Sequence, residues 1–452
     1  MSASAQIGFQ GNCSDTAILK ELLSPWNVSF TTPDDADIVI VYKSEEPENK
    51  KSIIIPHNGP EFNSWVKKRS LRLKSSSHRQ IKVDISNRTS LTISPEQVYD
   101  CDGAQSSSTP EVSFSELFLN SEQKLLKIDL IKEFIDIVNS ALNPRTSTLY
   151  HIMTGLPVSY SFAPKRVRDF VMGCKKDGTL IDYCDKLPLD ALRFILVNAI
   201  ERLSGKMLVQ KKWNGSSSCV VLTHDIDTEK GLNRASHVRK LEDKYGMKST
   251  WYIPTKHYPL NCETVSELAN HGEVGVHGEK HKGNLVRLSR QKLFSQFSDA
   301  RKFLEEMSGS PIHGFRSPLL QHNSEILAQL KNAGYSYDTS IPSWEPKHPQ
   351  TMGPFGIGTV FPLHINGLIE IPVSIVQDHQ LLYILGLTPK ETLRHWLLFM
   401  DLVKEIGGCN VFLSHPEYKL FDSENISLYE DFLNAVVADK NSWSATPNQL
   451  VS

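Results

Sequence analysis

Apolar residues in the second half of the chain follow two alternating patterns. Short apolar runs at 219–222 and 410–414 have the length and the Val and Phe content that are typical of strands. Segments such as 289–307 and 390–406 instead repeat their apolar residues at about 3.6 positions, which predicts amphipathic helices. The alternation predicts a parallel sheet or barrel covered by helices. Further strands are predicted at 248–253, 273–277, 312–316, 335–340 and 368–373, and further helices at 235–245, 263–270, 324–333 and 426–437.

The first half of the chain has a different pattern, which predicts a small α/β domain over residues 1–103. No glycine-rich phosphate loop follows its apolar runs, so we expect no nucleotide cofactor there. Polar residues and a proline at 104–112 predict a linker. The domain is expected to mediate oligomer or partner contact. Its predicted elements are strands at 36–42, 52–56 and 81–85 and a helix at 17–23.

Two longer helical patterns, at 125–142 and 187–203, predict a mainly helical connector over residues 113–214. The sequence Gly-Ser-Ser-Ser at 215–218 marks its end. The strand–helix alternation then predicts a third domain over residues 215–452, and the role of residues 1–214 stays open.

Composition and charge exclude several classes of protein. Hydrophobic residues make up 40% and charged residues 22% of the 452 positions, which excludes wholesale disorder and collagen-like repeats. The formal net charge is -2 and there is no long basic run, so we expect no nucleic-acid partner. The seven cysteines form no Cys-x-x-Cys pair, which favours reduced thiols over a disulfide framework or a zinc ribbon.

The sequence indicates neither a secretory signal peptide nor a transmembrane helix. The N-terminus has neither a basic segment nor an apolar core, so we expect no secretory signal peptide. No stretch approaches about 18 uninterrupted apolar residues, so no transmembrane helix is expected. We therefore expect the protein to work in the cytoplasm or on a membrane surface that faces it.

Candidate chemistry is concentrated after position 215, where 13 of the 16 histidines lie. Ionisable residues recur just after the apolar part of successive strands. The carboxyl ends of parallel strands meet at one edge of a sheet or barrel, which is where such folds build their active sites. These residues are Asp225 and Asp227 after the first strand, His277 and His281 after the third, Arg316 after the fourth, Asp338 near the fifth and His415 after the last.

The spacing His277-x-x-x-His281 suits two ligands of one metal ion. If the segment forms a helical turn, both imidazoles reach one side at about 6 Å from each other. Two neutral imidazoles and one carboxylate are a common open site for a catalytic divalent metal. Taken alone, such a pair is more often two solvated histidines.

Asp225 and Asp227 point to the same face if the strand continues through them. One carboxylate can then bind a metal while the other removes a proton from water beside it; the alternative is a helix cap or a surface pair. Arg316 can orient a carboxylate by a bidentate pair, or it forms a surface salt bridge that contributes little to stability. His415 can protonate a leaving amine, or it is an ordinary core or surface histidine.

Together these motifs resemble the polysaccharide deacetylase family, the NodB-homology domain of carbohydrate esterase family 4, over about residues 218–440. The sequence departs from the usual motifs at three places. His224 replaces the usual aromatic residue, Leu319 and Leu320 replace a proline and an aromatic residue, and no clear Asp-Trp segment is found. The resemblance implies a distorted (β/α)7 barrel for 215–452. It assigns Asp225 as base, Asp227, His277 and His281 as ligands of a divalent metal with zinc expected, Arg316 as the residue that orients the base, and His415 as general acid.

The resemblance implies a metal-dependent carbohydrate N-deacetylase, a hydrolase of carbon–nitrogen bonds other than peptide bonds. Its substrate would be an N-acetylated or N-formylated amino sugar in a glycan or glycan precursor. Two alternatives stay open: the same site hydrolyses a non-sugar linear or cyclic amide, or the domain is an inactive carbohydrate-binding scaffold.

Overall fold

A computed structural model describes residues 5–44, 51–57, 59–68, 73–76, 79–86, 89–101, 111–112, 125–155 and 181–452. The chain forms two compact units, Met1–Asn139 with Asp182–Lys211, and Ser140–Ile181 with Lys212–Ser452. The three-part division at 103, 113 and 215 stays a prediction. Most of the predicted linker at 104–112 lies outside the described residues, as does much of the predicted connector.

Of the six helices predicted after residue 215, five match described helices to within one residue at each end, and the helix predicted at 235–245 begins earlier, at Glu229. Among the described residues, no helix is both long enough and apolar enough to cross a bilayer. The helices are α1 (Cys13–Leu22), α2 (Pro60–Lys68), α3 (Leu130–Leu142), α4 (Thr148–Gly155), α5 (Pro188–Ser204), α6 (Glu229–Lys244), α7 (Cys262–His271), α8 (Arg290–Ser308), α9 (Ser324–Asn332), α10 (Pro389–Ile406), α11 (Ile426–Ala438) and α12 (Pro447–Val451).

The described strands include several that sequence patterning missed, such as the first one. They are β1 (Ala5–Gln10), β2 (Val28–Thr31), β3 (Ile38–Val41), β4 (Ser52–Ile54), β5 (Leu73–Ser76), β6 (Gln80–Asp84), β7 (Ser90–Ile93), β8 (Val98–Cys101), β9 (Glu111–Val112), β10 (Ser218–Asp225), β11 (Ser249–Ile253), β12 (Glu273–Val276), β13 (Gly314–Phe315), β14 (Tyr337–Asp338), β15 (Glu345–His348), β16 (Gly353–Phe355), β17 (Leu363–Ile365), β18 (Leu368–Glu370), β19 (Cys409–Ser414) and β20 (Ser442–Ser444).

The first unit is built on a parallel four-stranded sheet in the order β2-β1-β3-β4. All four residues of β3 are buried, which is expected for a parallel strand with both faces covered. Smaller sheets, β5-β8 and β7-β6-β9, accompany it.

The second unit contains a nine-stranded sheet along the path β17-β18-β14-β13-β12-β11-β10-β19, with β20 also paired to β10. All its pairs are parallel except β17 with β18. Among the described strands the path has two ends, so the sheet is open and not a closed barrel. This confirms the α/β class, while the count of seven strand–helix repeats stays a prediction.

Burial explains why β10 lies near the middle of this sheet. All eight of its residues are buried, including the polar residues at its carboxyl end. Cys219, Val221, Val411 and Tyr252 belong to one buried apolar cluster that joins β10 to its neighbours. The strand therefore holds its last residue, Asp225, on a rigid support.

Candidate active site

The ends of four strands bring the predicted residues to one edge of the sheet. His224 is paired with Ser414 across β10 and β19, so Asp225 and His415 follow at the same level. Val276 is paired with Phe315 across β12 and β13, so the chain leaves those two strands at His277 and Arg316. The long-range register therefore gathers segments that are far apart in the sequence.

Asp227, His277 and His281 form a candidate metal site. One ligand atom from each lies within 4.8 Å of the other two. Asp227 Oδ1 is 3.2 Å from Nε2 of His277 and 3.2 Å from Nε2 of His281. The His277 side chain is only 1% exposed. The alternative of two solvated histidines is therefore wrong for His277.

The loop that carries the two histidines is not the helical turn considered in the sequence analysis. Residues 277–281 form an irregular bend, and their imidazole centroids are 5.4 Å apart. Gly278 adopts φ +73°, and a Cβ there would lie 3.2 Å from Pro318 Cγ. Glycine allows the left-handed backbone that turns His281 back toward His277.

The donor set fits a divalent metal. His277 Nδ1 donates to the carbonyl of Arg316 at 2.8 Å, which leaves Nε2 with a free lone pair. Asp227 Oδ1 is buried and has no hydrogen-bond donor among the described residues. Burial lowers the pKa of His281 to about 4, which keeps its ring neutral as a ligand must be.

The Asp227 carboxylate is held in its ionised form. Burial opposes its charge, but His281, His277 and His415 outweigh that effect and hold the pKa of Asp227 below its usual range. His277 and His281 thus lie against Oδ1 of an ionised carboxylate, and His415 lies against its Oδ2. A cation bound between the two histidines would neutralise that charge.

Arg316 anchors Asp225, although not as the predicted bidentate pair. Arg316 Nη1 lies 3.0 Å from Asp225 Oδ1 and also donates to Thr223 Oγ1 at 2.7 Å. Its Nε and Nη2 donate to the carbonyl and hydroxyl oxygens of Thr339, both at 3.0 Å. The guanidinium is completely buried, so the surface salt-bridge alternative is wrong. The prediction of a bidentate pair is also wrong, because Thr223 and Thr339 use the remaining donors.

His415 is held by a residue that the sequence analysis missed. Asp378 Oδ1 accepts from His415 Nδ1 at 2.7 Å. Burial disfavours the charged ring, but Asp378, followed by Asp227 and Asp225, outweighs it and raises the pKa of His415 to about 10. Asp378 follows the apolar segment 371–376, the same signal that identified the other site residues.

Tyr418 contacts a candidate catalytic residue, whereas Asp338 does not join the candidate metal site. The ring of Tyr418 stacks on His415 with centroids 4.5 Å apart. Asp338 instead accepts from Ser340 Oγ at 2.8 Å, and burial raises its pKa to about 6. The structure therefore brings together six of the predicted site residues and leaves Asp338 in a supporting network.

Residues 212–337 match the family model Polysaccharide deacetylase, which confirms the resemblance over that segment. A peptidoglycan deacetylase-like protein of Gibberella zeae is 29% identical over 107 residues, which are 23% of this chain and 31% of that protein. The chain thus matches about a third of that relative's length.

Comparison with solved structures gives two matches that are described as a putative and a probable polysaccharide deacetylase. The one from Mycobacterium smegmatis has 20% sequence identity and a TM-score of 0.45, with 53% of this chain and 91% of that chain covered. The one from Pseudomonas aeruginosa PAO1 has 11% identity and a TM-score of 0.43, with the same coverage of 53% and 91%.

Proposed function

Because residues 212–337 carry a polysaccharide deacetylase match, we propose that this chain is a metal-dependent hydrolase that removes an N-acetyl or N-formyl group from an amino sugar of a glycan or glycan precursor. One observation carries the proposal: Asp227 Oδ1 lies 3.2 Å from the Nε2 atoms of two histidines. Two proton-transfer residues adjoin this cluster. Asp225 Oδ2 is 3.6 Å from His277 Nε2, and His415 Nε2 is 3.7 Å from Asp227 Oδ2.

The proposed cation is zinc, held by Asp227, His277 and His281. Two imidazoles and one carboxylate are a donor set that catalytic zinc uses, with further positions open. Bound there, the ion would supply Lewis acidity that lowers the pKa of water and polarises an amide carbonyl.

The side chains of this chain then divide the proton transfers. Asp225 takes the proton of the attacking water, and Arg316 holds its carboxylate in position. Asp378 holds Nδ1 of His415, so the ring presents its Nε2–H to the substrate. His415 gives this Nε2 proton to the departing amine nitrogen. The C–N bond breaks, and the products are a carboxylic acid, acetate or formate, and a free amino group.

The test compares the full chain with its His277→Ala variant. We expect the wild type to contain one zinc per chain by plasma mass spectrometry and to release acetate from an N-acetylglucosamine oligosaccharide. The His277→Ala variant should lose both. The control is His237→Ala, since His237 is an exposed histidine of α6 outside the cluster.

Two results would overturn the proposal. The first is wild-type metal content and acetate release in His277→Ala. The second is a wild type that hydrolyses linear ureides or cyclic imides but no N-acylated sugar. That result would favour the alternative in which the same site hydrolyses a non-sugar amide.

The cytoplasmic location and the absence of a nucleic-acid partner belong to the same proposal. Fractionation of cells that express the full chain tests the location. Contact of residues 1–103 with a partner or a second copy is a separate proposal, and light scattering of the full chain tests the second copy.

A further inference from the structure

The first unit contains a cavity of about 520 Å³ that the proposed reaction does not use. This volume is in the range of small-molecule sites, about 300–1,000 Å³. Tyr42 and Lys43 directly follow β3, and His57 follows β4, so the cavity lies at the carboxyl ends of parallel strands. Open α/β sheets bind their ligands at this edge.

One wall of the cavity is aromatic. His57 contacts Tyr42 and Phe62, with ring centroids 5.2 and 5.4 Å apart, and Phe62 contacts Tyr99 at 6.2 Å. Tyr42, His57 and Tyr99 line the cavity. Such rings offer flat apolar faces and a few polar atoms, which suits a ligand with C–H faces and hydroxyl groups.

Two buried carboxyl groups form another part of the wall. Asp129 is 9% exposed and Glu133 is 6% exposed, and both line the cavity. Burial raises the pKa of Asp129 to about 6 and that of Glu133 to about 7. Neither group forms a salt bridge with a described residue, because the nearby Lys132 is paired with Glu96 and Asp136 at 2.6 and 2.5 Å.

Structural roles explain only some of the carboxyl oxygens. Asp129 Oδ1 accepts the Lys132 N–H at the start of α3, and Oδ2 accepts the Tyr42 hydroxyl. Glu133 Oε1 accepts the Glu96 N–H at 2.8 Å, which leaves Oε2 without a described donor. Lys43 and Lys132 also line the cavity, but Lys132 is paired as described and Lys43 Nζ lies 3.9 Å from Asp15 Oδ2. Among the described residues neither lysine forms a salt bridge with Asp129 or Glu133, and a buried carboxyl group without a cation is costly.

We propose that this cavity binds a saccharide unit that carries a free amino group. Its ammonium group would form charge-assisted hydrogen bonds with Asp129 and Glu133, while the sugar ring would pack on Tyr42 and Tyr99. An N-acetylated unit carries no charge and would leave both carboxyl groups without a cation. The inference rests on the proposed function for the source of the ligand, since deacylation creates such units, and makes the first unit a product-recognition module.

The test is calorimetric titration of the full chain in the His277→Ala background, so that no ligand is turned over. A glucosamine oligosaccharide should bind saturably, and the N-acetylglucosamine oligosaccharide of equal length should bind roughly tenfold more weakly or worse. Equal affinity for the two oligosaccharides, or no binding of glucosamine units, would overturn the inference. So would putrescine binding as tightly as the oligosaccharide, because the sugar ring would then contribute nothing.

Variants separate the cavity from general charge effects and from the second unit. Glu133→Gln keeps an acceptor for the Glu96 N–H and should lower affinity for the glucosamine oligosaccharide roughly tenfold. The control, Asp84→Asn, removes the same charge from an exposed position of β6 outside the cavity lining and should bind as the parent does. An equal loss in both variants, or in neither, would overturn the inference.

The failure of this inference is distinguishable from failure of the proposed function. Hydrolysis is measured on the chain with His277 intact, and binding is measured separately. If Glu133→Gln still hydrolyses the substrate and the His277→Ala chain does not bind the glucosamine oligosaccharide, only the inference is overturned. Glu133-dependent binding without hydrolysis would overturn the proposed function and leave the cavity's ligand chemistry standing.

Discussion

Asp378 Oδ1 lies 2.7 Å from Nδ1 of His415, and Asp378 Oδ2 accepts the backbone N–H of His415 at 2.8 Å. The carboxyl group is completely buried, so it has no competing contact with solvent. These two contacts fix both the orientation of the ring and the position of its proton, and Nε2 stays available on the side of Asp227.

Replacement of Asp378 by Asn should therefore lower kcat with little change in metal content. The amide keeps the shape but loses the charge that stabilises the protonated ring, so we expect a loss of about 100-fold in kcat. Steady-state kinetics and metal analysis on the same samples test this. Asp401→Asn, an exposed carboxylate of α10, is the control. A kcat within twofold of wild type would contradict the role of Asp378.

Removal of the metal should destabilise the second unit. Asp227, His277 and His281 bring one ionised oxygen and two imidazole nitrogens together, so binding of a cation to the folded state adds stability. We expect a chelator to lower the Tm of the wild type and zinc to restore it. In His281→Ala both effects should shrink. An identical chelator effect in that variant would contradict the assigned ligand set.

His224 should contribute to stability because its hydrogen bonds link β10 to α6 and to β19. Its Nε2 lies 2.9 Å from Glu242 Oε1, its Nδ1 lies 2.9 Å from Ser414 Oγ, and its ring stacks on Trp251 with centroids 4.3 Å apart. His224→Phe removes both hydrogen bonds in a buried site and should lower the free energy of unfolding by about 1–3 kcal/mol.

Glu242→Gln and the double variant complete a thermodynamic cycle for this contact. We expect a coupling of about 1 kcal/mol or more between His224 and Glu242 in urea unfolding. Strict additivity of the two single changes would show that the contact has no energetic role.

Glu133 should make the stability of the first unit depend on pH. Burial raises its pKa from an ordinary 4.5 to about 7 in the folded chain, so the folded state retains a proton that the unfolded state has lost. The stability contributed by this proton is complete below about pH 4.5 and is lost as the pH rises toward about 7.

Glu133→Gln removes this dependence. Relative to wild type, the free energy of unfolding of the variant should rise by about 1–3 kcal/mol between pH 5 and pH 8. Urea unfolding followed by circular dichroism at both pH values measures the change. A constant difference between the two proteins over this range would contradict the prediction.

The sequence by itself determined the class of fold and the identity of the candidate site residues. Strand and helix periods are local, so runs such as 219–222 and 390–406 predicted β10 and α10 before any contact was known. The spacing of Asp225 with Asp227 and of His277 with His281 is also local, which is why the motifs identified them. β1 was not predicted because its run, AQIGFQ, mixes polar with apolar residues and contains a glycine.

Only the tertiary structure decided which groups act on one another. Asp378 and His415 are 37 positions apart, and Asp129 and Tyr42 are 87 apart, so no local pattern reports either contact. Strand register and burial set these distances. Burial also leaves Asp227 Oδ1 without a described donor, and whether a buried polar atom finds a partner depends on neighbours that only the folded chain supplies.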